Sequence, residues 1–282
     1  MASENTDTEI RRVTADSGIE YTYRDIGRSD VPLVTLQHFR GNLDNWDPAL
    51  IDALATGRRV ITFNNVGVAS TSGRTPNSIK AMAHGAIAFI EAIGLQEVDL
   101  LGFSIGSFVA QEIALVRPDV LRRVVLASSA PEGAAAMHGW APEVIGAVGT
   151  PEANAEGYLG VFFAPTPTSQ QAGQQAAGRI FDRTSDQDEP TNWQTRQAQY
   201  DAVCSWGVPN HSLLERVRGI ELPVFVANGD SDPMILPRYS YLLAGLLPDA
   251  RLAIYPDSAH GFLFQHHVEF AADVSAFLAE AG

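Results

Sequence analysis

The segment Gly102 to Gly106, which reads Gly-Phe-Ser-Ile-Gly, carries the strongest chemical signal in the sequence. The apolar run Val98 to Gly102 before it predicts a buried strand, and Phe108 to Val116 after it has a helical pattern. A sharp turn between them would present the Ser104 hydroxyl to a base, next to a helix N-terminus that favours developing negative charge. The pattern predicts that Ser104 is a nucleophile. The structural alternative is that the glycines only permit close packing and Ser104 caps the helix.

A serine nucleophile needs a base, and His260 has the best setting among the seven histidines. It follows the predicted strand Arg251 to Tyr255 in a loop. Catalytic groups from different strands of an open α/β sheet converge at the carboxyl edge, so His260 is the predicted base. The alternative is an ordinary loop histidine exposed to solvent.

The base needs a carboxylate that holds its tautomer and stabilises the imidazolium. Asp230 and Asp232 both lie just past the predicted strand Pro223 to Ala227. Both are candidates on position alone.

Two backbone N–H groups are expected to bind the oxyanion. One belongs to Ile105, the residue after the nucleophile, and the other comes from the loop after the strand Leu33 to Leu36. Backbone amides leave no side-chain signature, so the second donor is either Phe39 or Arg40. We expect His38 to brace this loop by hydrogen bonding, and it is also a candidate substrate contact.

Strand-like and helical segments alternate along much of the chain, which predicts a parallel sheet flanked by helices. The candidate strands are Ile19 to Asp25, Leu33 to Leu36, Arg59 to Phe63, Val98 to Gly102, Arg123 to Ala127, Pro223 to Ala227 and Arg251 to Tyr255.

The strand signal disappears between residues 130 and 219, where Ala, Gln, Gly and Pro become frequent. We interpret this segment as a helical cap inserted into a core domain formed by residues 1–129 and 220–282. Aromatic residues of the cap are candidates for substrate binding, because they make an economical apolar pocket wall; the alternative is that they form the core of the cap. These candidates are Trp140, Phe162, Phe163 and Trp206.

Composition excludes several classes of function. The 282 residues include 33 acidic and 19 basic side chains, a formal charge of −14, so nucleic acid and anionic membranes are poor partners. The single cysteine, Cys204, and the polar stretch Met1 to Glu20 predict a cytoplasmic protein without an internal disulfide or signal peptide. No apolar run approaches the roughly 20 residues of a membrane helix, so we expect a soluble protein.

The sequence around Ser104, the segment Asn228 to Asp232 and the His260 loop together resemble the α/β-hydrolase superfamily, over essentially the whole chain. They are most similar to its bacterial capped members, the esterase, non-haem haloperoxidase and lactonase group. This resemblance implies a mostly parallel eight-stranded sheet with helices on both faces and a helical lid between the sixth and seventh strands. It also implies Asp232 as the acid, because in such hydrolases the acid lies three residues beyond a glycine, here Gly229.

Two segments depart from the pattern of these relatives. The usual His-Gly pair at the oxyanion loop reads His38-Phe39-Arg40-Gly41. The usual acidic, glycine-rich turn after the third candidate strand is replaced by Asn64 to Ser70.

The resulting hypothesis is a hydrolase without metal or cofactor, acting on a neutral, fairly apolar ester or lactone through an acyl-enzyme on Ser104. One alternative keeps the fold and triad for C–C bond hydrolysis, lyase, perhydrolase or haloperoxidase-like chemistry. Another is a ligand sensor with slow turnover. A small-molecule substrate is the expected partner, and the oligomeric state stays open, with a homodimer as one option.

Overall fold

The computed structural model describes residues 8–134, 140–150 and 155–280. The predicted cap therefore contains two stretches, 135–139 and 151–154, that lie outside the described residues. None of the described helices is both long enough and apolar enough to cross a membrane.

The described residues form one sheet of eight strands. The strands are β1 (Arg11–Thr14), β2 (Glu20–Ile26), β3 (Leu33–Leu36), β4 (Val60–Phe63), β5 (Val98–Phe103), β6 (Leu121–Ala127), β7 (Val224–Gly229) and β8 (Ala250–Tyr255). Their order across the sheet is β1-β2-β4-β3-β5-β6-β7-β8. Strand β2 pairs antiparallel with both of its neighbours, β1 and β4. All pairings among β3 to β8 are parallel. The predicted mostly parallel, eight-stranded sheet is confirmed.

Strand β1 is absent from the individual strand predictions. It lies at the sheet edge, and three of its four residues are exposed. Arg11 and Arg12 pair there with Asp25 and Glu20 across the antiparallel ladder. Because the strand buries little apolar surface, it carries no hydrophobic period by which the sequence could reveal it.

Eleven helices are described. They are α1 (Pro48–Ala55), α2 (Ile79–Ala92), α3 (Ile105–Val116), α4 (Pro142–Val148), α5 (Ala155–Phe162), α6 (Pro167–Ile180), α7 (Trp193–Trp206), α8 (His211–Leu214), α9 (Pro237–Leu246), α10 (Phe262–Gln265) and α11 (His267–Leu278). Helices α4 to α8 lie between β6 and β7.

The core surrounds the central strands. Every residue of β3, β4 and β5 is buried, as expected for strands covered on both faces. Helix α1 packs against α11, and α2 packs against α3. The rings of Phe63 on β4 and Phe89 on α2 stack with centroids 4.1 Å apart.

Helix α3 approaches the sheet more closely than side chains would allow. A Cβ atom on Gly106 would lie 2.2 Å from the carbonyl oxygen of Leu36 on β3. A Cβ atom on Gly102 would lie 2.4 Å from the carbonyl oxygen of Gly106. Glycine at both positions therefore sets the distance between β5, its following turn and α3.

We expect Gly106→Ala to destabilise the protein by about 1–3 kcal/mol, because the added methyl group can be accommodated only by moving backbone. Gly178→Ala is the matched control. Gly178 lies within α6 on its solvent-exposed face, and a Cβ atom there would meet nothing within 4 Å. The control should stabilise by roughly 0.5–1 kcal/mol. Urea denaturation measures both free energies of unfolding, and equal changes would contradict the packing argument.

Candidate active site

Ser104 occupies a strained turn at the carboxyl end of β5. Its φ of 57° and ψ of −123° lie in a region that costs a non-glycine residue about 1–3 kcal/mol. The Ser104 N–H donates to Ala127 O at 3.0 Å, and its carbonyl accepts from Ser107 N at 2.8 Å. These bonds anchor the turn on both sides, and they hold Ser104 at the start of α3.

Asp232 and His260 are joined by a direct hydrogen bond. The loops after β7 and β8 bring His260 Nδ1 within 2.9 Å of Asp232 Oδ2. Asp232 Oδ1 accepts from the N–H groups of Met234 and Ile235 at 2.8 and 2.9 Å. Because the carboxylate accepts, Nδ1 carries the imidazole hydrogen and Nε2 is left with a free lone pair.

His260 Nε2 is buried and has no hydrogen-bond partner among the described residues, so no hydrogen bond to Ser104 is formed in this geometry. Ser104 and His260 nevertheless line the same cavity. The two side chains that the sequence predicts as nucleophile and base therefore line one cavity.

The end of helix α5 holds the His260 loop. His260 N donates to Val161 O at 3.4 Å, and Gly261 N donates to Phe162 O at 2.7 Å. The Phe162 ring stands edge-on to the His260 ring with centroids 5.2 Å apart. The segment between β6 and β7 thus contacts the imidazole directly.

Asp230, the other candidate acid, belongs to a different network. Its carboxylate accepts from Ser231 Oγ at 2.8 Å and from the N–H groups of Asp257 and Ser258 at 3.0 and 3.3 Å. Burial raises the pKa of this carboxyl, but these hydrogen bonds outweigh it and hold the pKa below its ordinary value. The geometry pairs His260 with Asp232, and Asp230 ties the β7 loop to the β8 loop.

The oxyanion loop distinguishes its two candidate donors. Arg40 N donates to Gln199 Oε1 at 2.7 Å, so that N–H is already occupied. The Phe39 N–H has no acceptor among the described residues. Ile105 N belongs to the first turn of α3, where an amide has no intrahelical acceptor. Phe39 and Ile105 therefore hold the available amides.

His38 braces the oxyanion loop. Its Nδ1 lies 2.9 Å from Phe39 O and donates to it, and its Nε2 is buried with no partner among the described residues. Burial lowers the pKa of His38 from 6.5 to about 4, against the bond to Phe39 and together with the nearby His260. The His38 ring is consequently neutral at neutral pH.

A cavity of about 620 Å³ opens onto Ser104 and His260. One wall is mostly apolar and comes from α5 and α6. The polar part of the lining comes from the loop after β3 and from the loop between α6 and α7. The apolar side is lined by Ala147, Val148, Tyr158, Leu159, Phe162, Ala177, Ile180, Phe181 and Met234. The polar side includes Asn42, Asp44, Asn45, Arg183, Gln187, Asp188 and Thr191.

The four cap aromatics named from the sequence separate into two groups. Phe162 lines the cavity, as does His38. Trp140 packs against Phe39 with ring centroids 4.8 Å apart, and Trp206 stacks on Phe108 at 5.1 Å and donates its indole N–H to Ala130 O. Phe163 is buried against Gly173. These three do not line the cavity, because their apolar surface packs against neighbouring residues, so a direct substrate contact is not supported for them.

Several lining residues escaped the sequence analysis. Tyr158 stands one helical turn before Phe162, and the two rings stack with centroids 4.0 Å apart; that spacing was the available signal. Asp188 had none, because its partners are distant in sequence. Its carboxylate accepts from Asn64 Nδ2 at 2.7 Å and Ser70 Oγ at 2.5 Å. The unusual turn after β4 therefore holds the polar wall of the cavity.

Within residues 8–134, 140–150 and 155–280, no cluster of three or more His, Cys, Asp or Glu side chains has a geometry that could hold a metal ion.

The chain belongs to the alpha/beta hydrolase fold family, whose sequence profile matches residues 31–267. A solved alpha/beta hydrolase fold protein from Chitinophaga pinensis is 36% identical, with a TM-score of 0.93, over 99% of this chain and 100% of that one.

Curated relatives are more distant. The protein BpoC of Mycobacterium tuberculosis, named after non-heme bromoperoxidases, is 33% identical over 109 residues. That match spans 38% of this chain and only 41% of the relative. The bifunctional esterase/perhydrolase DCH of Acinetobacter calcoaceticus is 25% identical over 94% of this chain and 98% of its own length.

We expect His38 to make the protein less stable in acid. Above pH 6.5 His38 is neutral in both states, but as the pH falls from 6.5 to about 4 the unfolded chain gains a proton that the folded state excludes. The stability lost is on the order of 3 kcal/mol and levels off below about pH 4. His38→Asn keeps a donor for Phe39 O and removes this titration, so its stability should fall less steeply. Denaturant unfolding between pH 4 and 7 measures the slopes.

The matched control for this experiment is His84→Asn, which changes an exposed histidine on α2. It should reproduce the slope of the unmodified protein. A slope that is identical for all three proteins would contradict a buried, neutral His38.

Proposed function

We propose that this chain is a serine hydrolase that cleaves carboxylic esters or lactones through an acyl-enzyme on Ser104. The observation that carries the proposal is the hydrogen bond between Asp232 and His260 beside a strained serine turn, with Ser104 and His260 lining one cavity. An alternative in which Ser104 only caps α3 is disfavoured, because Ser104 makes no side-chain capping hydrogen bond.

The first step is attack of Ser104 Oγ on the substrate carbonyl carbon. His260 Nε2, which carries a free lone pair, accepts the hydroxyl proton as the C–O bond forms. Asp232 stabilises the resulting imidazolium and keeps Nδ1 protonated. Catalytic hydrogen bonds often tighten only with substrate bound, so we expect the Ser104–His260 bond to form in the complex.

The tetrahedral intermediate places negative charge on the former carbonyl oxygen. The N–H groups of Ile105 and Phe39 are suited to bind it, because they are the available amides beside Ser104. Collapse of the intermediate breaks the bond to the alkoxide, which takes the proton from His260. A water molecule activated by His260 then cleaves the acyl-enzyme by the same steps and releases the carboxylic acid.

The cavity favours a neutral substrate with a sizeable apolar part. Its volume of about 620 Å³ lies within the range of small-molecule sites. Its charged lining residues balance, since the lining includes two arginines, Arg40 and Arg183, and two aspartates, Asp44 and Asp188. The wall formed by α5 and α6 is suited to an alkyl or aryl group.

The similarity to an esterase/perhydrolase over nearly the whole chain favours a second candidate. In this alternative, hydrogen peroxide in place of water attacks the same acyl-enzyme and releases a peracid. C–C bond hydrolysis, lyase chemistry and a slow ligand sensor stay alternatives that use the same residues. Stopped-flow assays on p-nitrophenyl esters discriminate the sensor, which would give one burst without sustained turnover.

Ser104→Ala should lower kcat for p-nitrophenyl esters by about 10⁴-fold or more, because the triad acts as a unit. Mass spectrometry after treatment with a fluorophosphonate should place the adduct on Ser104. Ser212→Ala, at an exposed serine on α8, is the control and should keep full activity. An adduct on another serine, or unchanged turnover in Ser104→Ala, would disprove the mechanism.

Asp232→Asn and Asp230→Asn form a matched pair that tests the acid. Asp232→Asn should lower kcat by about 10⁴-fold with little change in KM, because the imidazole loses its stabilising charge and its tautomer. Asp230→Asn should mainly lower stability, by about 1 kcal/mol, through weaker bonds to Ser231, Asp257 and Ser258. Initial rates and melting temperatures decide the question, and a catalytic collapse confined to Asp230→Asn would reverse the roles.

A further inference from the structure

One peptide group of the oxyanion loop is held at both ends. The carbonyl of Phe39 accepts from His38 Nδ1 at 2.9 Å, and the following N–H, that of Arg40, donates to Gln199 Oε1 at 2.7 Å. Arg40 has a φ of 63°, in the left-handed region that is unfavourable for a residue with a side chain. The backbone conformation at Arg40 therefore depends on these two partners.

Arg40 makes several contacts beyond its own loop with the segment between β6 and β7, among them bonds to Gln199, Thr150 and Val148. Gln199 lies on α7 and is 6% exposed, so its bond is shielded from water. The Arg40 guanidinium donates to Thr150 O at 2.6 Å, just beyond the end of α4. Helix α7 and the residues that follow α4 thus both form hydrogen bonds with Arg40 of the oxyanion loop.

The hydrogen bond from Arg40 N to Gln199 determines which amide of the oxyanion loop is left without an acceptor. Gln199 occupies the Arg40 N–H and leaves the Phe39 N–H, one peptide group earlier, without an acceptor among the described residues. Among the described residues, the peptide group between His38 and Phe39 is anchored only through His38 O, which accepts from Gly41 N at 3.0 Å. Displacement of the peptide between Phe39 and Arg40 would shift the Phe39 Cα and with it the Phe39 N–H, because the Phe39 nitrogen is bonded to that Cα atom.

We propose that Gln199 is a positioning residue, whose bond to Arg40 N–H aims the Phe39 N–H at the substrate oxygen; the inference rests on the proposed function. Helix α7 thereby forms part of the support for the oxyanion site. Misplacement by about 1 Å is costly, because an oxyanion donor must lie about 2.7–3.1 Å from the developing charge.

The test compares three variants of α7. Gln199→Met keeps the length of the side chain but removes the acceptor, whereas Gln199→Glu keeps an acceptor oxygen. Gln194→Met makes the same chemical change at an exposed position of the same helix. Each protein is assayed with a p-nitrophenyl ester, with a trifluoromethyl ketone that forms an oxyanionic adduct on the serine, and by thermal melting.

Gln199→Met should lower kcat by about 10- to 100-fold, part of the loss seen when an oxyanion donor is removed outright. KM should change by less than about threefold, because ground-state contacts are untouched. The inhibition constant for the ketone should rise by the same factor by which kcat/KM falls. Gln199→Glu should stay within about threefold of the unmodified protein, and Gln194→Met should match it.

If Gln199→Met does not fold, Gln199→Asn replaces it, since it retains the amide but withdraws its oxygen by one methylene group. Unchanged kcat and ketone affinity in the folded variant would overturn the positioning role. Equal losses in Gln199→Glu and Gln199→Met would also overturn it, because they would indicate a packing role. Absence of both turnover and fluorophosphonate labelling in the unmodified protein would instead overturn the proposed function itself.

Discussion

The backbone of Ser104 is held in a conformation that a serine does not adopt freely, and the fold around it is organised to maintain that turn. Strand β5 and helix α3 lie too close together for side chains at Gly102 and Gly106. The turn is also bonded to β6 through Ala127 O. A cost of about 1–3 kcal/mol at one residue is tolerated because β5 itself and its neighbour β3 are fully buried and cannot relax around it.

The remaining groups of the site come from elements that are far apart in sequence but adjacent at the sheet edge. The loops after β7 and β8 deliver Asp232 and His260, and parallel pairing of these strands sets their separation. The segment between β6 and β7 then completes the enclosure, with the end of α5 bonded to the His260 loop and Gln199 bonded to the oxyanion loop. In the proposed mechanism, substrate contact, base placement and oxyanion geometry therefore depend on the same segment.

The turn Asn64 to Ser70, which departs from the pattern of relatives, supports the polar lining of the cavity. Asn64 and Ser70, in the unusual turn after β4, both donate to Asp188 in the loop between α6 and α7. Asp44 extends this network, since it accepts from Asp188 N at 2.7 Å and pairs with the buried Arg24 at 2.7 Å. The turn after β4 and the loop between α6 and α7 are both polar and are bonded to each other. Together they account for part of the polar lining of the cavity.

Local pattern was enough to predict the sheet, the serine turn and the two loops that carry Asp232 and His260. Buried parallel strands are continuous apolar runs, and a glycine-flanked serine between strand and helix is a local signal, so neighbouring residues encode both. Edge strand β1 escaped because it buries too little to show a hydrophobic period. The choice of Asp232 over Asp230 needed the resemblance to relatives, since both carboxylates follow the same strand.

Tertiary structure decided what depends on contacts between distant segments. Trp140, Phe163 and Trp206 could not be told apart from Phe162 in the sequence, because an aromatic residue buried against other helices and loops and one that lines a cavity have the same local composition. Phe39 and Arg40 were equivalent as amide donors until Gln199, 159 residues beyond Arg40, occupied one of them. The sequence by itself determined which residues are proposed to carry the chemistry, whereas the folded chain decided their partners, because hydrogen bonds across the fold leave no periodic trace along it.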